Sequence, residues 1–564
     1  MQRWWQLGLA STVLLAAVGI GINRCQRAHL SVHALEPLPQ HRQIQVYMNQ
    51  NLAATFTEPY RQQTRPGDDL ESIIVRQIQA ARSRVDVAVQ ELRSPRIAQA
   101  LRDRKQAGVQ VRLVLENTYS RPWSSLTAQE FAQMDEHQRD RYQENFRLMD
   151  RDGNGQLSAN EINQFDALQI IRNAGIPWLD DSADSSVGSG LMHHKFVIID
   201  GRTILVTSAN FTLSDLQGDL DTPDSRGNAN SLVVINSQKL ATLFTQEFNF
   251  LWGDGPGGQP DSQFGVNKPG RLAQKFKIAD VTVWVKFSPA STSIPWQDST
   301  NGLIAQILAQ AKQEINLALF VFSEQQIVNQ LNTQHQQGVN LRVLVDPHFA
   351  YQSYSEILDM LGIVLSSSQG KTFTCRPEAN NQAWSPPLKT AGIPQLPPGD
   401  LLHHKYGVID QRTVIMGSHN WSTAANQLND ETLLVLQHPQ IAAHYQREFE
   451  RLYANSRLGL PSFLRRKAQQ HQQQCPSLKL TPTTPFPSAS PPFSPPLSSV
   501  PSQPINLNTA SQQQLESLPG IGPQLAQRII EARQQRSFRS LADLDQVPGV
   551  GPKLLQQLQN QVTW

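Results

Sequence analysis

The stretch Val85–Glu116, VDVAVQELRSPRIAQALRDRKQAGVQVRLVLE, begins and ends in apolar runs that read as buried strands. Helix-like sequence lies between them and closes on a Gly108-Val109 turn. The same pattern of apolar and polar positions returns at Ile315–Asp346, INLALFVFSEQQIVNQLNTQHQQGVNLRVLVD, where Gly108 pairs with Gly338 and Arg112 with Arg342. Strand, helix, turn and strand in that order predict an α/β fold, with a parallel or mixed sheet covered by helices. Because the match is collinear over a long stretch, it reads as a duplication.

A second repeat carries the candidate chemistry. His193-x-Lys195-x-x-x-x-Asp200 lies in LMHHKFVIIDG, and His403-x-Lys405-x-x-x-x-Asp410 in LLHHKYGVIDQ. Successive side chains of a strand point to opposite faces, so residues i and i+2 share one. His193 is thereby placed beside Lys195, and His403 beside Lys405. His194 and His404 have the opposite parity and read as structural. Asp200 and Asp410 fall at the strand exits, where they are expected to hold the local backbone and its cations. Each strand is followed by a short polar motif, Thr207-Ser208-x-Asn210 in one half and Gly417-Ser418-x-Asn420 in the other. A histidine titrates near neutrality and serves as base, acid or nucleophile without a large shift. Lysine adds fixed positive charge where anionic oxygens develop.

On these paired motifs, residues 42 to 455 resemble the phospholipase D superfamily with two HKD motifs. The resemblance implies two similar α/β lobes, 42–255 and 270–455, facing each other about a pseudo-twofold axis with one site between them. It implies that one histidine attacks phosphorus while the other protonates the leaving oxygen and then activates water. The site set carried over is His193, Lys195, Asp200, His403, Lys405 and Asp410 for catalysis. For phosphate binding it is Ser208, Asn210, Ser418 and Asn420, with Glu431 of NDETLLVL, which also qualifies to orient a histidine. The equivalent stretch GNANSLVVI offers Asn230 instead, so the halves are asymmetric and the nucleophile stays open.

The repeats start 230 residues apart, at Val85 and Ile315, yet the histidines are only 210 apart, so the first half carries extra chain, at about 125–170. Within it, Asp150-x-Asp152-x-Asn154-Gly155-Gln156-Leu157-Ser158-x-x-Glu161 fits an EF-hand loop. Oxygen ligands at positions 1, 3, 5 and 9, a backbone carbonyl at 7, glycine at 6 and a bidentate glutamate at 12 are what Ca²⁺ requires. Asp150, Asp152, Asn154, Gln156, Ser158 and Glu161 are therefore the expected metal ligands, in a structural or regulatory role. The two-histidine chemistry itself needs no metal.

From Cys475 to Pro504 the chain has ten prolines and almost no charge, a composition that builds no core. Extended as polyproline II it spans up to roughly 90 Å, at about 3.1 Å per residue. Beyond it, LPGIGP at Leu518 and VPGVGP at Val547 repeat within helix-like sequence, and Thr509 with Gln512 resembles a capping box. Glycine hairpins leave N–H groups free at the next helix's start, which suits a phosphate oxygen. Residues 505–564 are similar to the tandem helix-hairpin-helix domain of the competence DNA receptor family. That similarity implies sequence-independent DNA binding through Gly520, Gly522, Gly549 and Gly551. The domain's net charge is only +1, so weak, salt-sensitive binding is expected.

Leu7–Ile22 is a near-unbroken apolar run that reads as a signal-anchor or signal peptide, here taken as an uncleaved anchor with the enzyme exported. Cys25, Cys375 and Cys475 are far apart with no C-x-x-C, which indicates neither a zinc site nor a disulfide framework. A net charge of +2 singles out no partner class. Two motifs in one chain remove the need for a dimer. The leading expectation is a membrane-anchored or exported phosphodiesterase acting on DNA as a nuclease. The alternatives are phospholipid hydrolysis or phosphatidyl transfer at a membrane, and a DNA receptor without catalysis.

Overall fold

Duplication in the sequence becomes duplication of a sheet. The structure is a computed structural model. It describes residues 35–475, apart from 292–293, 370–371 and 378–380, together with part of 505–564. The first half builds β1 (Ile44–Met48), α1 (Leu70–Gln79), β2 (Arg84–Val89), α2 (Pro95–Gln106), β3 (Gln110–Leu115), α3 (Glu136–Met149), α4 (Ala159–Phe165), α5 (Ala167–Asn173), β4 (Trp178–Asp180), β5 (Lys195–Ile199), β6 (Thr203–Thr207), β7 (Ser231–Asn236) and α6 (Gln238–Trp252). Its seven strands form a mixed sheet in the order β1-β7-β6-β5-β2-β3-β4.

The second half adds β8 (Gln274–Ile278), β9 (Val281–Ser288), α7 (Thr300–Leu308), β10 (Glu314–Leu319), α8 (Gln325–Gln336), β11 (Asn340–Val345), β12 (Ala391–Pro394), β13 (Lys405–Ile409), β14 (Thr413–Gly417), β15 (Glu431–Gln437), α9 (Pro439–Ala454), β16 (Ser456–Leu458) and α10 (Ser462–Gln474). The sheet order is β8-β9-β15-β14-β13-β10-β11-β12-β16. Register repeats with it. β2 runs parallel to β3 and antiparallel to β5, with Val89 opposite Lys195. β10 does the same with β11 and β13, with Leu319 opposite Lys405. The matched arginines also act alike, Arg112 donating to Asp86 at 2.7 Å and Arg342 to Asn316 at 2.8 Å.

Local sequence accounts for the crossover helices. At the start of α2, Ser94 accepts from the N–H of Ile97, and Pro95 follows with a φ already suited to a first helical turn. α1 and α2 bury their apolar stripes on the outer face of the first sheet, and α7 and α8 do so on the second. Between the sheets, α6 and α9 complete one continuous apolar cluster that includes Val46, Phe196, Phe244, Tyr406 and Phe449. A fully buried side chain of this size contributes about 1.5–3 kcal/mol, so a shared core of this extent holds the two lobes as one body.

One sequence expectation is overturned here. Cys375 and Cys475 form a disulfide with Cα atoms 5.4 Å apart, closing a separation of 100 residues and fastening the end of α10 to the strand Thr372–Pro377. Spacing along the chain gave no hint of it, because the fold alone brings the two positions together. Residues 505–564 have a small core of their own, with Leu507, Leu515, Ile529, Phe538 and Leu544 packed around α11 (Pro523–Gln535). The apolar run at Leu7–Ile22, most of the Pro/Ser-rich segment, Gln512 of the expected capping box and all four hairpin glycines lie outside the described residues. Among those described, no helix is long and apolar enough to cross a membrane.

Candidate active site

β5 and β13 are buried along their whole length, and the extended chain just before each carries the histidines. The ladder continues into these segments, with Gln90 N–H donating to His194 O at 3.1 Å and Phe320 N–H to His404 O at 2.8 Å. Side-chain alternation therefore holds one turn earlier than the strands proper. His193 and His403 come out on the same face as Lys195 and Lys405, each histidine 6% exposed. Lys195 Nζ donates to His193 O and Gln90 Oε1, both at 3.1 Å, and Lys405 Nζ to His403 O at 2.7 Å. Phe320 lies under the Lys405 ammonium at 4.6 Å and meets the His403 ring edge-on.

Each histidine is oriented by the opposite lobe. Nδ1 of His193 meets Glu431 Oε2 at 2.7 Å, and Nδ1 of His403 meets Asn230 Oδ1 at 3.0 Å. With Nδ1 donating, Nε2 of each ring is left to the reaction. Ser418 Oγ donates to Glu431 at 2.7 Å and receives the N–H of Thr432; Ser208 Oγ donates to Asn230 at 2.7 Å and receives the N–H of Ser231. This corrects three expectations. Ser208, Ser418 and Glu431 do not bind phosphate, because their bonding capacity is spent on holding the two supports. Asn210 and Asn420 remain suitable through their side-chain N–H donors; their Oδ1 atoms, buried without a partner among the described residues, are acceptors and would not contact a phosphate oxygen.

Asp200 and Asp410 stand at the far ends of β5 and β13. Asp200 accepts from the N–H groups of Arg82, Ser83 and Arg84, and Asp410 from those of Lys312, Gln313 and Glu314. They pin the start of the adjacent strand in each lobe, which corrects their place in the catalytic set that the resemblance implied. His194 and His404 point the other way, to Glu247 at 3.0 Å and Glu448 at 3.1 Å, fully buried as parity requires. Around His194, the Glu247 and Asp430 carboxylates are bridged by Lys268 at 2.5 and 2.6 Å. That ammonium already supplies the positive charge, so the cluster is an ion network at the lobe interface.

Sequence reading missed Asp215, whose Oδ1 lies 3.5 Å from His403 Nδ1 and 3.2 Å from Asn230 Nδ2. It follows Asn210 by five residues, where Ala425 follows Asn420. The carboxylate that lobe 1 lacks at Asn230 is supplied from a neighbouring element. The only sequence signal was this break in the repeat.

Burial pushes the imidazoles of His193 and His403 well below their usual range, and the two lysines add to the effect on each ring. Lys195 and Lys405 both act on His193 and on His403, so the four groups form one electrostatic unit drawn from both lobes. Lys195 is itself lowered by burial to about 8, and Lys405 well below its usual value. A bound phosphodiester anion offsets this positive charge and raises the group that must carry a proton.

In the inserted segment, α3 ends at Asp150 and α4 starts from Ser158, which with Glu161 forms a capping box. Ligand oxygens of Asp150, Asp152 and Glu161 lie within 4.8 Å of one another. Asp150 accepts the N–H of Gly155 at 2.9 Å and Asn154 Oδ1 that of Gln156 at 2.8 Å, while Gly155 has φ +78°. An all-oxygen set wrapped on a glycine turn fits a hard divalent cation. α3 also lines the cleft of about 460 Å³ that leads to His403.

Fold and site together define a two-lobed phosphodiesterase-type architecture with one site made by both halves. Residues 74–252 and 304–453 match the family model described as "Cardiolipin synthase, PLD-like domain", and the chain belongs to that family. Residues 500–563 match a helix-hairpin-helix motif. The chain is similar to the mitochondrial cardiolipin hydrolase of Mus musculus, 28% identical over 163 residues, covering 28% of this chain and 61% of that protein. It is also similar to the phospholipase D of Rickettsia typhi, 26% identical over 154 residues, covering 27% of this chain and 63% of that one. The chain thus spans about three-fifths of the length of these relatives. Among solved structures, the phosphatidylserine synthase of Haemophilus influenzae is matched at 12% identity and a TM-score of 0.45, over 78% of this chain and 93% of that one.

Proposed function

We propose that the protein is a phosphodiesterase that cleaves DNA through a phosphohistidine intermediate. The observation that carries the chemistry is the exchange of supports, in which each lobe fixes Nδ1 of the other lobe's histidine. His193 is the nucleophile in this reading. Attack through Nε2 leaves a positively charged, phosphorylated ring whose Nδ1–H is donated to Glu431, and an anionic acceptor stabilises that cation more than an amide does. As the P–O bond to the leaving group breaks, His403 Nε2–H gives its proton to the departing oxygen. His403, now neutral, takes a proton from water as the water oxygen attacks phosphorus and the P–N bond breaks. The two lysines stabilise the non-bridging oxygens, with Asn210 and Asn420 as further ligands.

DNA is favoured because a helix-hairpin-helix segment shares the chain and raises the local concentration of polymer at the cleft. Phospholipid hydrolysis or phosphatidyl transfer is the second reading, favoured by the family description and by the names of the relatives. The receptor reading leaves the paired histidines unused. In the inserted loop, Asp150, Asp152, Asn154, Ser158 and Glu161, with the carbonyl of Gln156, are proposed to hold Ca²⁺, which when bound would supply charge that fixes the loop. Export to an oxidising compartment is proposed from the Cys375–Cys475 disulfide.

Removing residues 505–564 tests the substrate. The apparent KM for long DNA should rise at least about tenfold, as expected for lost multivalency. The KM for a small chromogenic phosphodiester should hold. DNA cleavage indifferent to the truncation, or turnover of phosphatidylcholine vesicles but not of plasmid, would overturn the DNA reading.

A further inference from the structure

Among the described residues of the second lobe, the corresponding connection between β11 and β12 holds no helix longer than Ile357–Met360, and the first lobe's inserted helix does not sit idly on the surface. Asp140, Arg141, Gln143, Glu144 and Arg147 of α3 line the cleft that reaches His403, opposite Phe320 and Leu401 of the second lobe. The helix is latched at two places. Arg141 pairs with the buried Glu91, next in the chain to Gln90, which bonds Lys195, and lays its guanidinium over the Tyr119 ring. Arg147 pairs with Asp221 on the segment that follows Asp215.

Two physical consequences follow. A cleft of about 460 Å³ is the size that takes a drug-sized ligand, and His403, one of the residues lining it, is only 6% exposed. Paired DNA is a stiff rod that cannot bend a single phosphate into such a recess, whereas an unpaired strand can enter it. Among the described residues the wall offers further phosphates no free cation, because Arg141 and Arg147 are taken by carboxylates and Asp140, Asp215 and Asp219 line the same cleft. Tyr119 and Phe320 also line the cleft, each with one ring face already against a cation, Arg141 and Lys405 respectively, which leaves at most the other face for an unpaired base.

Resting on the DNA reading above, we infer that α3 is a specificity element: it restricts the catalytic cleft to one unpaired strand and leaves capture of the polymer to sites outside the cleft. The test uses the full chain with a single-stranded oligonucleotide, its blunt duplex and a small chromogenic phosphodiester, each rate normalised to the last. The parent should cleave the single strand at least about tenfold faster than the duplex. Arg141→Ala undoes one latch while Glu91 keeps Arg93 at 3.1 Å. It should raise the duplex-to-single-strand ratio several-fold, as should replacing residues 127–165 by a short linker.

Equal cleavage of strand and duplex by the parent would overturn the inference and leave the DNA reading standing. So would a ratio that neither variant moves. Turnover of the small diester with neither oligonucleotide cleaved would overturn both.

Discussion

At Nδ1 of His193 the acceptor is a carboxylate, and at Nδ1 of His403 it is an amide with Asp215 behind it. That difference between two otherwise matched residues is what favours His193 as the proposed nucleophile. Glu431→Gln keeps the volume and the accepting oxygen but removes the charge. Its kcat should fall about 10²- to 10⁴-fold, the usual contribution of a positioned catalytic group, with KM little changed. A kcat within about threefold of the parent would mean that the carboxylate does not stabilise the charged ring. Much of this scale was legible in the sequence. The parity of His193 with Lys195, the inward turn of His194 and the anchoring task of Asp200 all followed from a strand's two faces. The exchange of supports between lobes did not, because a linear repeat gives no sign of which copy a side chain crosses to. Asp215 was hidden for the same reason.

Among the elements, α3 and the loop after it carry the most testable consequences. Calorimetric titration of the full chain should detect Ca²⁺ binding, and Glu161→Gln, which removes the bidentate position, should weaken it by at least about tenfold. Chelation should leave hydrolysis of a small diester in place. A parent chain that binds no Ca²⁺ at millimolar concentration would end the proposal. On the same helix, burial and the neighbouring Asp219 push Glu144 up to about 8, and one of its oxygens is buried without a partner among the described residues. A folded-state pKa raised above the unfolded carboxyl value of about 4.3 stabilises below that value, and the contribution is lost progressively as pH rises from about 4 to about 8. Glu144→Gln should therefore match the parent's Tm near pH 4 and exceed it near pH 9. A Tm difference that does not change between those pH values would show that Glu144 titrates as an ordinary carboxyl. The insertion itself was visible from the unequal spacing of the repeats. Its place against the cleft was not, since that depends on Arg141 and Arg147 reaching partners far away in the chain.

For the whole molecule, the duplicated α/β pattern indicated both sheets, and a shared core through α6 and α9 joins the two lobes. The disulfide between Cys375 and Cys475 escaped notice because 100 residues separate its ends. The claim that matters most at this scale is that one phosphorus atom is handled by a histidine from each half. With bis(p-nitrophenyl) phosphate the leaving group departs without a proton, so attack continues when the acid is missing while release of the enzyme slows. Mass spectrometry of peptides from a neutral quench of His403→Asn should then show a nitrophenyl-phosphoryl adduct on the peptide containing His193. His193→Asn should show none and should not turn over. Absence of any adduct, an adduct carried by His403 in the parent, or parental turnover by either variant would contradict the account.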